Sequence, residues 1–196
     1  SASGLARDFA RTVGGYGAFR ALGAGWRALR APTQVKPGAP NASAVPQGRP
    51  TRVPDGEAPE NILALTRENE SAITLARRGF RVEQNPVIPG LKNPDYRIGG
   101  RVFDNYAPSS GSARNIWTNV QGKVQAEQAR RIVLNLDDSA VSMDKLRQQF
   151  ADWPVEGLEQ LLVVKNGQVT NLALPRPAGG TPWFTPAGYP HQEQNR

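Results

Sequence analysis

Apolar residues recur along the chain at two different periods, and the changes of period mark out the elements. Leu5, Phe9, Val13, Tyr16, Phe19, Leu22, Trp26 and Leu29 return at steps of three and four, with Arg7, Arg11, Arg20, Arg27 and Arg30 mostly between them. This is a basic amphipathic helical pattern. Five glycines within it weaken a free helix by about 1 kcal/mol each relative to alanine. A second helical pattern begins at Pro59, a residue suited to the first turn, and stops at Gly79, suited to the position just past a helix end. Residues 80–84 alternate as a strand. Residues 112–130 keep helical spacing through Ile116, Val120, Val124 and Glu127, and residues 132–136 read as a short apolar strand. Ser142 is placed to cap a helix that ends near Phe150. Residues 161–174 read as a hairpin turned by Asn166-Gly167, and residues 92–106 as a hairpin turned by Gly99-Gly100, since both turn residues need positive φ. Strands mixed with helices argue for an α/β sandwich.

Between these patterned stretches the composition shifts. Residues 31–60 hold seven prolines, and residues 175–196 hold five. Both read as extended, poorly ordered segments. The expected organisation is therefore a basic segment over 1–30, a Pro-rich linker over 31–58, a compact domain over 59–174 and a tail over 175–196. The low apolar content of 38% and mean hydropathy of −0.51 fit a chain that is only partly core. The net charge of +7 and pI near 10.2 favour a polyanionic partner, nucleic acid or an anionic membrane. The chain has no cysteine, so it has no disulfide and no thiolate zinc site. No apolar run is long enough to span a bilayer, and no signal-peptide pattern is present. The chain starts at Ser1, which reads as a fragment of something longer. For residues 1–30 two readings stand: a segment that lies on an anionic membrane during translocation, and the end of an upstream domain.

The chemistry begins in the first hairpin, KNPDYRIGGRVFDNY. With a two-residue turn, Ile98 pairs with Arg101, and Asp95 then faces Asp104. Directly opposed side chains are about 4.5–5.5 Å apart at Cβ, where like charges repel. A divalent cation relieves that repulsion, since Mg²⁺ is often held by one or two carboxylates with water and substrate phosphate. A longer turn with two solvated aspartates is the competing reading. On the first helix Glu68 shares the apolar face with Leu65, Ala72 and Leu75, where a carboxylate needs a partner. A salt bridge to an arginine would also satisfy it. Glu70 lies round the helix and reads as an exposed charge. Lys123 sits on the second helix, where a solvated lysine is the ordinary case. Trp117 and Trp153 read as core rather than as base-stacking platforms.

Glu68 on a helix, Pro94-Asp95-Tyr96 leading into a strand, Asp104 on the next strand and Lys123 on the following helix resemble the PD-(D/E)xK nuclease superfamily. The chain departs from its usual third motif, because Asn105 and Tyr106 follow Asp104. The lysine would then have moved to the helix, as in other variants of the superfamily. More closely, ENESAITLARRGFRVEQNP, KNPDYRIGGRVFDNY and the run from IVLNLDDS to LLVVKNGQV resemble the C-terminal tRNase toxin domains of contact-dependent growth inhibition (CdiA-type) proteins and other polymorphic toxins. The resemblance covers about residues 61–174.

The resemblance implies an α/β fold with a PD-(D/E)xK-like core, a mixed sheet flanked by helices, set between a non-globular N-terminal segment and a C-terminal tail. It implies a metal-dependent endonuclease that hydrolyses tRNA, is delivered from the surface of one cell and acts in the cytoplasm of its target. A cognate immunity protein would neutralise it, and a host-cell activating factor is a further partner to test. By position, Glu68, Asp95, Asp104 and Lys123 would form the active site. Asp95, Asp104 and Glu68 would hold the cation, Mg²⁺ first, with Zn²⁺ and Mn²⁺ as alternatives. Lys92, Arg97, Arg101, Arg130 and Arg131 would grip the phosphate backbone without reading sequence.

Other chemistries fit less well. The only histidine is His191, in the tail. This disfavours a histidine-dependent RNase and a Ser-His-Asp hydrolase. No Gly-x-x-x-x-Gly-Lys-Ser/Thr run is present, so there is no P-loop. Three alternatives remain: a DNase of the same fold, a basic nucleic-acid-binding module without catalysis, and a membrane-active fragment carried by residues 1–30.

Overall fold

The computed structural model describes residues 34–88, 94–126 and 129–175. The segment 1–30, Lys92, and the tail with Trp183, Phe184, Tyr189 and His191 lie outside the described residues.

Turn chemistry and periodicity place most elements. Helix α1 (Pro59–Arg77) starts on its proline, and Gly79 follows its end at φ 91°. Helix α2 (Ala113–Gln125) is capped by Ser112, which accepts from Asn115 N at 3.3 Å. Helix α3 (Met143–Asp152) is capped by Ser142, which accepts from Lys145 N at 3.2 Å. Seven strands are described: β1 (Gln47–Gly48), β2 (Val82–Gln84), β3 (Tyr96–Ile98), β4 (Arg101–Tyr106), β5 (Arg131–Asn135), β6 (Gln160–Lys165) and β7 (Gln168–Asn171). They form one sheet in chain order. The β3–β4 hairpin turns on Gly99 and Gly100 at φ 55° and 81°. The β6–β7 hairpin turns on Asn166 and Gly167 at φ 51° and 67°. Strands β4, β5 and β6 run parallel, joined through α2 and α3, while β2, β3 and β4 run antiparallel. The fold is a mixed sheet flanked by helices.

Alternation along the central strands divides the core into two layers. Ile132, Leu134, Leu161 and Val163 pack with Ile116, Val120, Leu146 and Phe150, under α2 and α3. Val133, Leu162 and Val164 pack with Ala72, Leu75, Tyr96 and Phe103, under α1. The parallel strands, buried on both faces, therefore read as continuous apolar runs.

Two expectations are corrected. Residues 34–58 are extended, but they are docked rather than poorly ordered. Val35 exchanges two 2.8 Å hydrogen bonds with the side chain of Gln160. Gly38 N and Asn41 N donate to the Gly79 and Arg77 carbonyls at 2.9 Å, and β1 pairs in parallel with β2. A Cβ at Gly48 would meet Gln84 O at 2.1 Å, so only glycine permits that approach. These backbone contacts follow no periodicity, so composition alone made the segment look like a linker. Trp117 is core at 4% exposure, but Trp153 is 45% exposed. Its carbonyl accepts from Trp117 Nε1 at 2.6 Å, and the Arg114 guanidinium lies over both indole rings.

Candidate active site

Register does most of the placing. Tyr96 pairs with Phe103, Arg97 with Val102 and Ile98 with Arg101, so the pair that follows on the open side is Asp95 and Asp104. The two carboxyl groups are close enough that Asp104 raises the pKa of Asp95. Asp95 Oδ2 also accepts from the Asn105 backbone N at 2.6 Å. Phe103 is buried under α1, so the alternation along β4 turns Asp104 to the other face, where α2 lies. Ile116, Val120 and Val124 anchor α2 there, and Lys123 at its edge donates to Asp104 Oδ2 at 2.6 Å. Both members of this pair are less than a third exposed.

Glu68, on α1, makes no hydrogen bond to the pair, but its charge acts on Asp95 and those of Asp104 and Lys123 act on it. It is 8% exposed, on the helix face that carries Ser71, Ala72 and Leu75. Its partner is the Thr51 hydroxyl, which donates to Oε1, and not an arginine. The Glu68 carbonyl accepts from Tyr96 Oη at 2.6 Å, tying α1 to β3. Glu70 is exposed and paired with Arg67, which also forks onto Asp138.

Burial raises the Glu68 carboxyl above its usual range, and hydrogen bonds from Thr51 and Gln84 oppose that rise. Asp95 is pushed up much further, to about 9, first by burial, then by its hydrogen bond to Asp104 and the charges of Asp104 and Glu68. With no cation present, the folded chain therefore holds the Asp95 proton far longer than the unfolded chain does. A carboxyl raised in this way contributes stability that is fully present below its unfolded value of about 4 and is lost as pH rises through the folded value. The metal-free chain is expected to lose stability from pH 4 to 9, read as a falling urea midpoint. Asp95→Asn is expected to flatten that slope, and an unchanged slope would contradict this account of the pair.

The pair also suits a cation. Two opposed carboxylates, one of them driven to hold a proton, are a donor set that Mg²⁺ accepts together with water and phosphate oxygens. The three-carboxylate group expected from the sequence is not assembled. Among the described residues no group of three or more histidine, cysteine, aspartate or glutamate side chains is arranged to hold a metal ion. Asp95 and Asp104 meet, and Glu68 is bound to Thr51.

The basic residues divide. Arg97 is engaged by Glu83, with Nε to Oε2 at 2.8 Å. Arg131 is paired with Glu159, and Arg130 stands 3.6 Å from the same carboxylate with most of its side chain exposed. Burial lowers the Arg131 pKa; the Glu159 charge raises it, and the charges of Arg101 and Arg130 lower it further. Arg101 and Arg130 are exposed.

Sequence reasoning missed Thr51, Asn69, Gln84 and Asn85, which form the polar surround of Glu68. Buried Gln84, on an otherwise alternating strand, was the available signal. It also missed Asn105, whose Oδ1 is buried without a hydrogen-bond partner.

Comparison with known proteins shows the family. The family described as the contact-dependent growth inhibition CdiA C-terminal domain matches residues 92–169. The chain is 42% identical over 147 residues to the tRNA nuclease CdiA-2 of Burkholderia pseudomallei (strain 1026b). That match takes in 75% of this chain and only 5% of the relative's length. The structure is similar to a chain of the CdiA-CT/CdiI toxin and immunity complex from Burkholderia pseudomallei. There the identity is 44%, the TM-score is 0.63, and the match covers 66% of this chain and 98% of the other. With the hairpin, the Asp95–Asp104 pair and Lys123 all inside or bordering the matched region, this chain belongs to the CdiA C-terminal domain family of contact-dependent growth inhibition.

Proposed function

We propose that this chain is a toxin nuclease that cleaves tRNA by metal-assisted phosphodiester hydrolysis and is neutralised by a cognate immunity protein. It is delivered from the surface of one bacterium and acts in the cytoplasm of another. The observation that carries the reading is the meeting of Asp95, Asp104 and Lys123 beside a buried glutamate, in a chain similar to a tRNA nuclease.

Asp95 and Asp104 would hold the divalent cation, Mg²⁺ in first place. A cation held there would lower the pKa of a bound water and neutralise charge on the phosphate. The protein's own groups do the rest. Lys123 holds Asp104 in place and sets a positive charge where the phosphorane charge develops. Glu68, a buried carboxylate made more basic by its burial, orients the attacking water and takes its proton. The water oxygen bonds to phosphorus, the bond to the leaving ribose oxygen breaks, and that oxygen is protonated from solvent. Arg101 and Arg130, with exposed side chains, hold flanking phosphates.

The test is incubation of the purified chain with total bacterial tRNA and, separately, with duplex DNA, each with Mg²⁺ and with EDTA. Discrete tRNA fragments that vanish with EDTA are expected. Cleavage of DNA alone would sink the substrate, and cleavage that survives EDTA would sink the metal. Tight, salt-sensitive binding without cleavage, even after adding cell extract to supply a host activator, would leave a binding module.

A further inference from the structure

The docked segment before α1 brings a hydroxyl to the most buried carboxylate of the site. We propose that Thr51 is a positioning residue, whose hydroxyl fixes the orientation of the Glu68 carboxylate for the reaction. The inference rests on the catalytic role proposed for Glu68.

A hydroxyl has one proton to give and two lone pairs to receive with. Around Thr51 Oγ1 both acceptor positions are taken by side-chain amides: Asn85 Nδ2 at 2.8 Å and Gln84 Nε2 at 3.4 Å. An amide NH₂ only donates, so neither can receive the Thr51 proton. Glu68 Oε1 is the acceptor left, and the hydroxyl donates to it. The direction of this hydrogen bond is therefore set by the surround.

The surround is itself locked. Asn69 grips the Thr51 backbone at two points, with Thr51 N donating to Oδ1 at 2.8 Å and Nδ2 donating to Thr51 O at 2.9 Å. Gln84, 3% exposed, donates to the same Asn69 oxygen at 2.6 Å. Asn85, held at φ 50°, donates from its backbone N to Asp95 O at 2.9 Å. One connected network thus joins the segment before α1 to Glu68 on one side and to the Asp95 backbone on the other. The anchoring of the segment uses the Asn69 clamp, the Asn85 bond to Arg49 O and the β1–β2 pairing. None of these needs the Thr51 hydroxyl, whose proton serves the carboxylate alone.

The full chain is assayed with total bacterial tRNA and Mg²⁺, comparing parent, Thr51→Val, Thr51→Ser and Glu68→Gln. Valine keeps the shape and removes the hydroxyl; serine keeps the hydroxyl. Thr51→Val is expected to lower the rate at saturating tRNA about 10–100-fold, the usual scale for losing a supporting hydrogen bond at a site, with KM unchanged. Thr51→Ser is expected to restore most of it and to melt near the parent, while Thr51→Val is expected to melt lower, since the buried Glu68 carboxylate loses its hydroxyl partner. If Thr51→Val proves unstable, Thr51→Ala replaces it. A parent-like rate for Thr51→Val while Glu68→Gln is inactive would overturn the role of Thr51 and leave that of Glu68 standing. Equal losses in the valine and serine variants would overturn it too, since the hydroxyl would not be what matters. An active Glu68→Gln would instead overturn the role of Glu68 itself.

Discussion

Asp104→Asn is expected to abolish tRNA cleavage, by at least about 10³-fold, because it removes one of two carboxylates that hold the cation and the anchor of Lys123. The variant separates chemistry from folding. Asparagine keeps the shape of the side chain and one oxygen. It removes the like charge facing Asp95, so the Asp95 carboxyl comes down although burial still holds it above its ordinary range, and the new amide oxygen still accepts from Lys123. Stability near neutral pH should therefore hold or rise as activity disappears. Single-turnover cleavage of total tRNA beside urea melts reads both. An active Asp104→Asn variant would remove the carboxylate pair from the mechanism. A collapse in stability would show that the pair is a structural element first. tRNA binding measured without Mg²⁺ should be unchanged or tighter, since a negative charge has been taken from a surface that meets phosphate.

Lys123→Met is expected to cost about 10²–10³-fold in cleavage, the scale for deleting one group that stabilises developing charge. It should also cost stability, which distinguishes it from Asp104→Asn. Methionine keeps the length of the side chain but leaves Asp104 without its ammonium partner, facing Asp95. Both members of the ion pair are less than a third exposed. Leaving one charged partner unsatisfied in such a place costs about 1–3 kcal/mol. Lys123→Arg should not restore the rate, because a planar guanidinium cannot take the place of a compact ammonium aimed at one oxygen. A Lys123→Met variant that cleaves at the parent rate would confine Lys123 to charge neutralisation in the resting protein. The two substitutions together should lose no more activity than Asp104→Asn alone, since each removes part of one unit.

The basic residues show how a sequence count can mislead. Five were candidates for the phosphate backbone. Arg97 is occupied by Glu83 on the neighbouring strand, and Arg131 is half-buried on Glu159. Among the described candidates Arg101 and Arg130 are left with exposed heads, and Lys92 lies outside the described residues. Cross-strand and loop partners decide which charges are free, and composition does not see partners.

What could be read directly was whatever a short stretch of chain settles by itself. Gly99-Gly100 and Asn166-Gly167 demand positive φ at consecutive positions, which sets both hairpins. The first hairpin sets register, and register alone puts Asp95 against Asp104. Ser112 and Ser142 cap the next helices, and the steps of three and four through Val120 and Val124 turn α2 so that Lys123 reaches the strand. Each of these follows from interactions within a few residues, so periodicity and turn chemistry reveal it. The docking of residues 34–58 and the choice of Thr51, rather than an arginine, as the partner of Glu68 were decided by the tertiary structure. So was the exposure of Trp153. Those contacts join groups far apart in the chain, through single hydrogen bonds that leave no repeat in the sequence. Their strength depends on how much water the assembled core excludes, and only the folded chain sets that.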